Sequence, residues 1–130
     1  MGSGGDQKPV PTDEVAEGRG ATLCLVVTQP VGGREREYHE WYDNQHVRDV
    51  VRVPGILSAQ RFDAVESGPA DESAPSRFLA VYEIAGDPGR TVEELQRRFG
   101  TPEMPASDAL DLREVSMTFW SPRGERTTEA

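Results

Sequence analysis

Residues 37–55 read EYHEWYDNQHVRDVVRVPG and hold both histidines, one of the two tryptophans and two of the three tyrosines of the chain. At ~100° per residue, Tyr38, Asp49, Tyr42, Val53, His46, His39, Val50 and Asp43 follow one another within an arc of about 140°. That is the width of a core-facing stripe, with His46 near its middle. Glu40, Asn44, Arg48 and Arg52 fill the opposite side, with Val47 and Val51 among them, so the segment reads as an amphipathic helix. Pro54-Gly55 ends it, because proline disfavours a helical conformation in the residue before it. A helix that turns an imidazole, two phenols and carboxylates inward points to a site.

Outward from this helix the chain alternates. Ala21 to Gln29 (ATLCLVVTQ) reads as a strand, apolar on both faces and therefore central in a sheet. Pro30, Gly32 and Gly33 break it before the helix. Ile56 to Val65 reads as a second strand, with Ile56, Ser58, Gln60 and Phe62 on one face and Leu57, Ala59, Arg61 and Asp63 on the other. A polar loop from Glu66 to Ser76 leads to a third strand, Arg77 to Ile84, in which Phe78, Ala80, Tyr82 and Ile84 share a face. Asp87-Pro88 opens a second helix, and Thr91 with Glu94 has capping-box spacing. Val92, Leu95 and Phe99 form its apolar stripe. Thr101 to Ala109 is a connection, and Leu112 to Trp120 is the last strand.

The order is β-α-β-β-α-β, an α+β chain of ferredoxin-like type with a four-stranded antiparallel sheet and both helices on one face. The sheet's second face carries apolar residues whichever way the first strand is registered, which calls for a partner. A homodimer stacked through that face about a two-fold axis is the expected answer. Residues 1–20, rich in glycine, proline and charge, read as a disordered arm. Residues 21–121 make the domain, and residues 122–130 a flexible tail.

Composition narrows the partners. The chain has 130 residues, with 14 Lys and Arg against 23 Asp and Glu, for a net charge of −9. That balance disfavours a nucleic-acid backbone or an anionic membrane surface. Cys24 is the single cysteine, which leaves no intrachain disulfide and no cysteine-based metal cluster. With no membrane-length apolar stretch and no signal-peptide core, the expected location is the cytoplasm.

The run EWYDNQHVRDVVRVPGILSAQRF resembles the helix and following strand of EthD-like proteins in the dimeric α/β-barrel superfamily. The pattern is a Trp-Tyr-acidic element (Trp41, Tyr42, Asp43), a histidine three residues later (His46), then Pro54-Gly55 leading into a strand with Arg61. Arg48 departs from it, where relatives often carry proline. The resemblance implies a dimeric barrel and a ligand cavity between the helices and the sheet, on the side His46 faces. The superfamily includes polyketide cyclases, decarboxylases, lactone isomerases, cofactor-free monooxygenases and haem-handling enzymes, so it implies a fold more strongly than a reaction.

His46 is the candidate acid or base, because imidazole titrates near neutrality. Asp43 and Asp49, three residues to either side, are close enough to orient or charge it. Tyr42 joins His46 and Asp43 as a catalytic candidate, able to polarise a carbonyl or hold an enolate. Tyr38, His39, Asp49, Gln60, Arg61 and Tyr82 are candidate substrate contacts, with Gln60 and Tyr82 depending on strand register. A core histidine satisfied by a tyrosine hydroxyl is the plainer alternative for His46, and an Arg61–Glu83 pair across the sheet is the plainer one for Arg61. Trp41 falls off the stripe and reads as a helix or dimer contact. His39, Asp43 and His46 could reach one metal ion, but three ligands from one helix rarely close a site, so none is expected. Glycine-rich phosphate loops and nucleophile elbows are absent.

The expectation is a cofactor-independent acid–base enzyme of cyclase, dehydratase, decarboxylase or isomerase type. It would act through an enol or enolate on a small hydrophobic aromatic or polyketide-like substrate. A cofactor-free monooxygenase and a non-catalytic small-molecule-binding dimer are the alternatives.

Overall fold

In the computed structural model, which describes residues 22–65, 68–69, 73 and 75–129, the elements follow the expected alternation. They are β1 (Thr22–Thr28), α1 (Glu35–Trp41), a π-helical turn (Tyr42–His46), α2 (Val47–Val51), β2 (Ile56–Asp63), β3 (Phe78–Ile84), α3 (Pro88–Arg98), a 3-10 turn (Leu112–Glu114) and β4 (Ser116–Trp120). The four strands form one antiparallel sheet in the order β2-β3-β1-β4, an α+β architecture compatible with a ferredoxin-like fold. The expected arm and much of the loop after β2 lie outside the described residues. Residues 121–129 are exposed and carry no helix or strand.

β1 is central because it can be: alternate residues Cys24, Val26 and Thr28 are buried toward the helices, while Leu23, Leu25 and Val27 are half-buried on the other face. Its register sets Cys24 beside Tyr82 and Phe119, and Val26 beside Ala80 and Met117. The α1, π and α2 segments run as one helix, since the residues at both junctions keep right-handed helical angles. Glu35 and Glu37 lie in its first turn, at the positive end of the dipole. Tyr38, Tyr42, Val50 and Val53 pack from this helix onto Cys24, Ala80, Tyr82 and Ile84.

The helix ends at Val51, and in the turn that follows Gly55 takes φ 100°. That angle is strained for any side chain, and a Cβ there would run into Thr91 Oγ1 of α3. Gly55→Ala is therefore expected to cost about 2–3 kcal/mol, read as a lowered midpoint in urea. An unchanged midpoint would contradict this account of how the first helix meets α3.

Three expectations need correction. A β-bulge between Ile56 and Ser58 shifts the register of β2, so Ile56 joins Ala59 and Arg61 on the helix side. Gln60 pairs with Val81 on the opposite face and is exposed, so it cannot meet a ligand beside His46. Glu83 lies on that outer face too and accepts from Ser58 Oγ at 2.6 Å. Arg61 and Glu83 thus stand on opposite faces and do not pair. α3 is capped by Asp87, whose carboxylate accepts from the Gly89 N–H at 2.9 Å. Thr91 is buried inside the helix and donates to the Pro54 carbonyl at 3.4 Å, so no capping box forms with Glu94.

The last strand is shorter than its pattern suggests. Asp111 caps the 3-10 turn by accepting from the Arg113 N–H at 3.1 Å, and only Ser116–Trp120 pairs with β1. Ahead of it, residues 99–111 form a packed strap rather than a plain connection. Met104, Ala109 and Leu110 are buried, and backbone bonds from Val31 N to Ala109 O (2.7 Å) and from Asp111 N to Gln29 O (3.0 Å) tie the strap to the end of β1.

Candidate functional site

Between the first helix, the sheet and the strap lies a cavity of ≈ 330 Å³. Its polar groups come from His46, Tyr42, Tyr82, Thr28, Trp41 and Gln96, and the rest of its lining is apolar. Leu95 and Phe99 of the α3 end, Met104 and Leu110 of the strap, Val115 just before β4 and Met117 within it belong to the wall. Three candidates from the sequence, His46, Tyr42 and Tyr82, line it together.

The π turn explains why these groups meet. On an α-helix each i→i+4 step drifts by about 40°, so Tyr38, Tyr42, His46 and Val50 would spread over about 120° of the stripe. A π turn, bonded i→i+5, holds more residues per turn and offsets that drift. It also brings together residues five apart, which an α-helix keeps on different sides. Trp41 and His46 are such a pair, and their rings stack at 4.6 Å with 22° between planes. Trp41 is held there by its indole N–H, which donates to the Pro105 carbonyl at 3.0 Å. The expectation that Trp41 falls away from the site fails because a uniform 100° step has no π turn in it.

His46 is boxed by rings: Trp41 on its face, with Tyr42 and Phe99 edge-on at 5.1 and 5.8 Å. Its Nδ1 is buried and has no hydrogen-bond partner. Burial pushes its pKa down to about 4, against a smaller opposing effect of the Asp49 charge, so the imidazole is neutral at physiological pH. The phenol oxygens of Tyr42 and Tyr82 stand 3.5 Å apart. Burial raises the pKa of both, most strongly for Tyr82, so both remain protonated donors.

The depressed histidine has a consequence for stability. The unfolded chain takes up a proton at this imidazole near pH 6.5, and the folded chain only near 4. Stability is therefore fully present above about pH 6.5 and falls as pH is lowered toward 4, by about 3 kcal/mol from this group. His46→Gln should remove that part of the slope, measured as the difference between urea titrations of the two proteins across the window. Parallel slopes would contradict the burial of His46.

Four other candidates form a separate cluster behind Tyr42. The Arg61 guanidinium lies 4.2 Å from the Tyr42 ring centroid and 5.3 Å from that of Tyr38. It donates to Asp43 Oδ1 at 2.7 Å and to His39 Nδ1 at 3.2 Å; since arginine has no acceptor, His39 accepts. Tyr38 shares a 2.5 Å hydrogen bond with Thr28 Oγ1. Tyr38, His39, Asp43 and Arg61 thus brace the wall of the cavity without lining it. Asp43, expected beside His46 as a catalytic group, is drawn instead to Arg61. Asp49 is buried, accepts from Gln45 Nε2 at 2.7 Å and likewise does not line the cavity.

Among the described residues no group of three His, Cys, Asp or Glu side chains is placed to hold a metal ion, and no helix is long and apolar enough to cross a membrane. Cys24 is fully buried, and burial pushes its thiol up to about 11, so it is a poor nucleophile. No family model matches the chain, and neither a curated protein nor a solved structure matches it.

Proposed function

We propose that the chain is a small-molecule enzyme that needs no cofactor and moves a proton with His46 on an apolar aromatic substrate. The observation that carries this reading is a neutral imidazole lining an apolar cavity beside two protonated phenols. In such a site a C–H beside a substrate carbonyl gives its proton to the bare imidazole nitrogen. A Tyr42 or Tyr82 hydroxyl donates to the enolate oxygen as charge develops there. An imidazole depressed to about 4 is a weak base in the empty cavity. The enolate formed beside it supplies the negative charge that raises its basicity, because charge pairs act more strongly beside apolar walls than in open water. Cyclisation, dehydration and isomerisation use this proton transfer, and decarboxylation reaches the same enolate by loss of CO2 and then takes a proton at carbon.

The test follows the step rather than a product. In heavy water the protein should speed exchange of the acidic C–H of neutral aryl β-diketones for deuterium, and His46→Ala should abolish the acceleration. Ligands that bind without any exchange above buffer would favour a second reading, a non-catalytic binding module, which the depressed basicity of His46 also suits.

The assembly proposed with this function is a two-fold dimer through the sheet face away from the helices. Leu25, Val27, Leu79 and Val81 are half-buried on that face, and Phe62 and Trp120 are exposed. An isologous contact would cover the same apolar patch on both copies.

A further inference from the structure

We infer that the cavity selects neutral hydroxylated aromatic molecules over their carboxylate counterparts, with the ligand hydroxyl bonded to the imidazole of His46. This rests on the reading of the cavity as a ligand site and adds the chemical class that it admits.

Charge is the first observation. Among the described residues no Asp, Glu, Lys or Arg side chain lines the cavity. Arg61 stacks on the Tyr42 ring, does not line the cavity and is already engaged with Asp43 at 2.7 Å. An anion entering the cavity would lose its hydration and meet no counter-charge, which is far costlier than burying a neutral polar group that finds a partner.

Hydrogen bonding is the second observation. Each ring nitrogen of a neutral histidine is a donor in one tautomer and an acceptor in the other, and His46 lines the cavity. A hydroxyl can answer either, whereas a carbonyl or an ether oxygen answers only one. The two phenols use one proton between their oxygens, which leaves the other free for an acceptor on the same ligand.

Size and shape are the third. A volume of ≈ 330 Å³ lies at the low end for ligand pockets, enough for roughly two or three fused rings. The edges of Tyr42 and Phe99 and the indole of Trp41 surround the imidazole with aromatic surface, suited to a flat ring.

The test uses three probes of nearly one shape, β-naphthol, β-naphthoate and the methyl ether of β-naphthol, titrated into the full chain at pH 7 by calorimetry. The naphthol should bind at least about 10-fold tighter than the naphthoate and about 10-fold tighter than the ether. His46→Ala should reduce the naphthol to the affinity of the ether and leave the ether unchanged. Naphthoate binding as tightly as naphthol would overturn the inference while leaving the cavity a ligand site. An ether as tight as the naphthol would overturn the hydroxyl contact in the same way. Failure of all three to bind would overturn the ligand-site reading itself, and this inference with it. If His46→Ala does not fold, the three affinities of the unaltered protein still decide the matter.

Discussion

Replacing His46 by alanine is expected to lower turnover by about 10²- to 10⁴-fold, the range a positioned acid or base contributes. The protein should still fold. The lost ring borders an existing cavity, so its removal enlarges a void rather than opening one in a packed layer. It also deletes a buried nitrogen that has no partner, which offsets part of the lost contact with Trp41, Tyr42 and Phe99. The expected signature is therefore a large kinetic effect with a small change in Tm. A packed core histidine would behave in the opposite way, losing stability by a few kcal/mol while activity per folded molecule stayed near normal. Measuring deuterium exchange and thermal unfolding on the same preparation separates the two.

The second large effect is expected at the sheet. Leu25 sits mid-strand in β1, facing away from the helices, with Val81 and Thr118 as its cross-strand neighbours. In the proposed dimer this position is central and dry. Leu25→Asp would place an unpaired carboxylate there in each copy, and leaving a buried charge unpaired costs about 3–5 kcal/mol. Dimer affinity should fall by at least about 10³-fold, giving a monomer at micromolar concentration by light scattering. The monomer should keep its helical circular dichroism, since Leu25 makes no contact with the helix-side core. A dimer that survives Leu25→Asp would show that the copies meet elsewhere, and a monomeric unaltered protein would remove the barrel.

The two faces of β1 and β3 were legible in the sequence because alternation of side chains is a local property. Cys24, Val26, Ala80 and Tyr82 fall where a period of two places them. The first helix was legible for a similar reason, and its stripe carries Tyr38, Tyr42, His46 and Val50 into the core. What sequence could not show is where a period breaks. One extra residue near Leu57 bulges β2 and sends Gln60 to the outer face. One π turn swings Trp41 onto His46. Both depend on packing against neighbours distant in the chain, and neither leaves a mark in propensity. The strap from residue 99 to residue 111 was hidden differently, since its prolines and turns look like a surface connection. Only its burial against Pro30 and the helix shows that it closes the cavity.

The separation of the two polar clusters was also out of reach. Sequence spacing put Asp43 and Asp49 equally close to His46, because both are three residues away. In the fold Asp43 goes to Arg61, which arrives from a strand 18 residues further on, and Asp49 is held by Gln45. A long-range ion pair thus takes away one of the two carboxylates that could charge the histidine. Burial outweighs the charge of the other, so His46 is neutral, and the proposed proton transfer depends on that.

The most direct test is the titration of His46 followed by NMR on its ring protons, in the free protein and with a neutral hydroxylated aromatic ligand present. The account predicts a midpoint near 4 in the free protein and a clear movement of the His46 resonances on ligand addition, with those of His39 little changed. A midpoint at the ordinary value near 6.5, or a His46 signal that ignores every ligand, would contradict it.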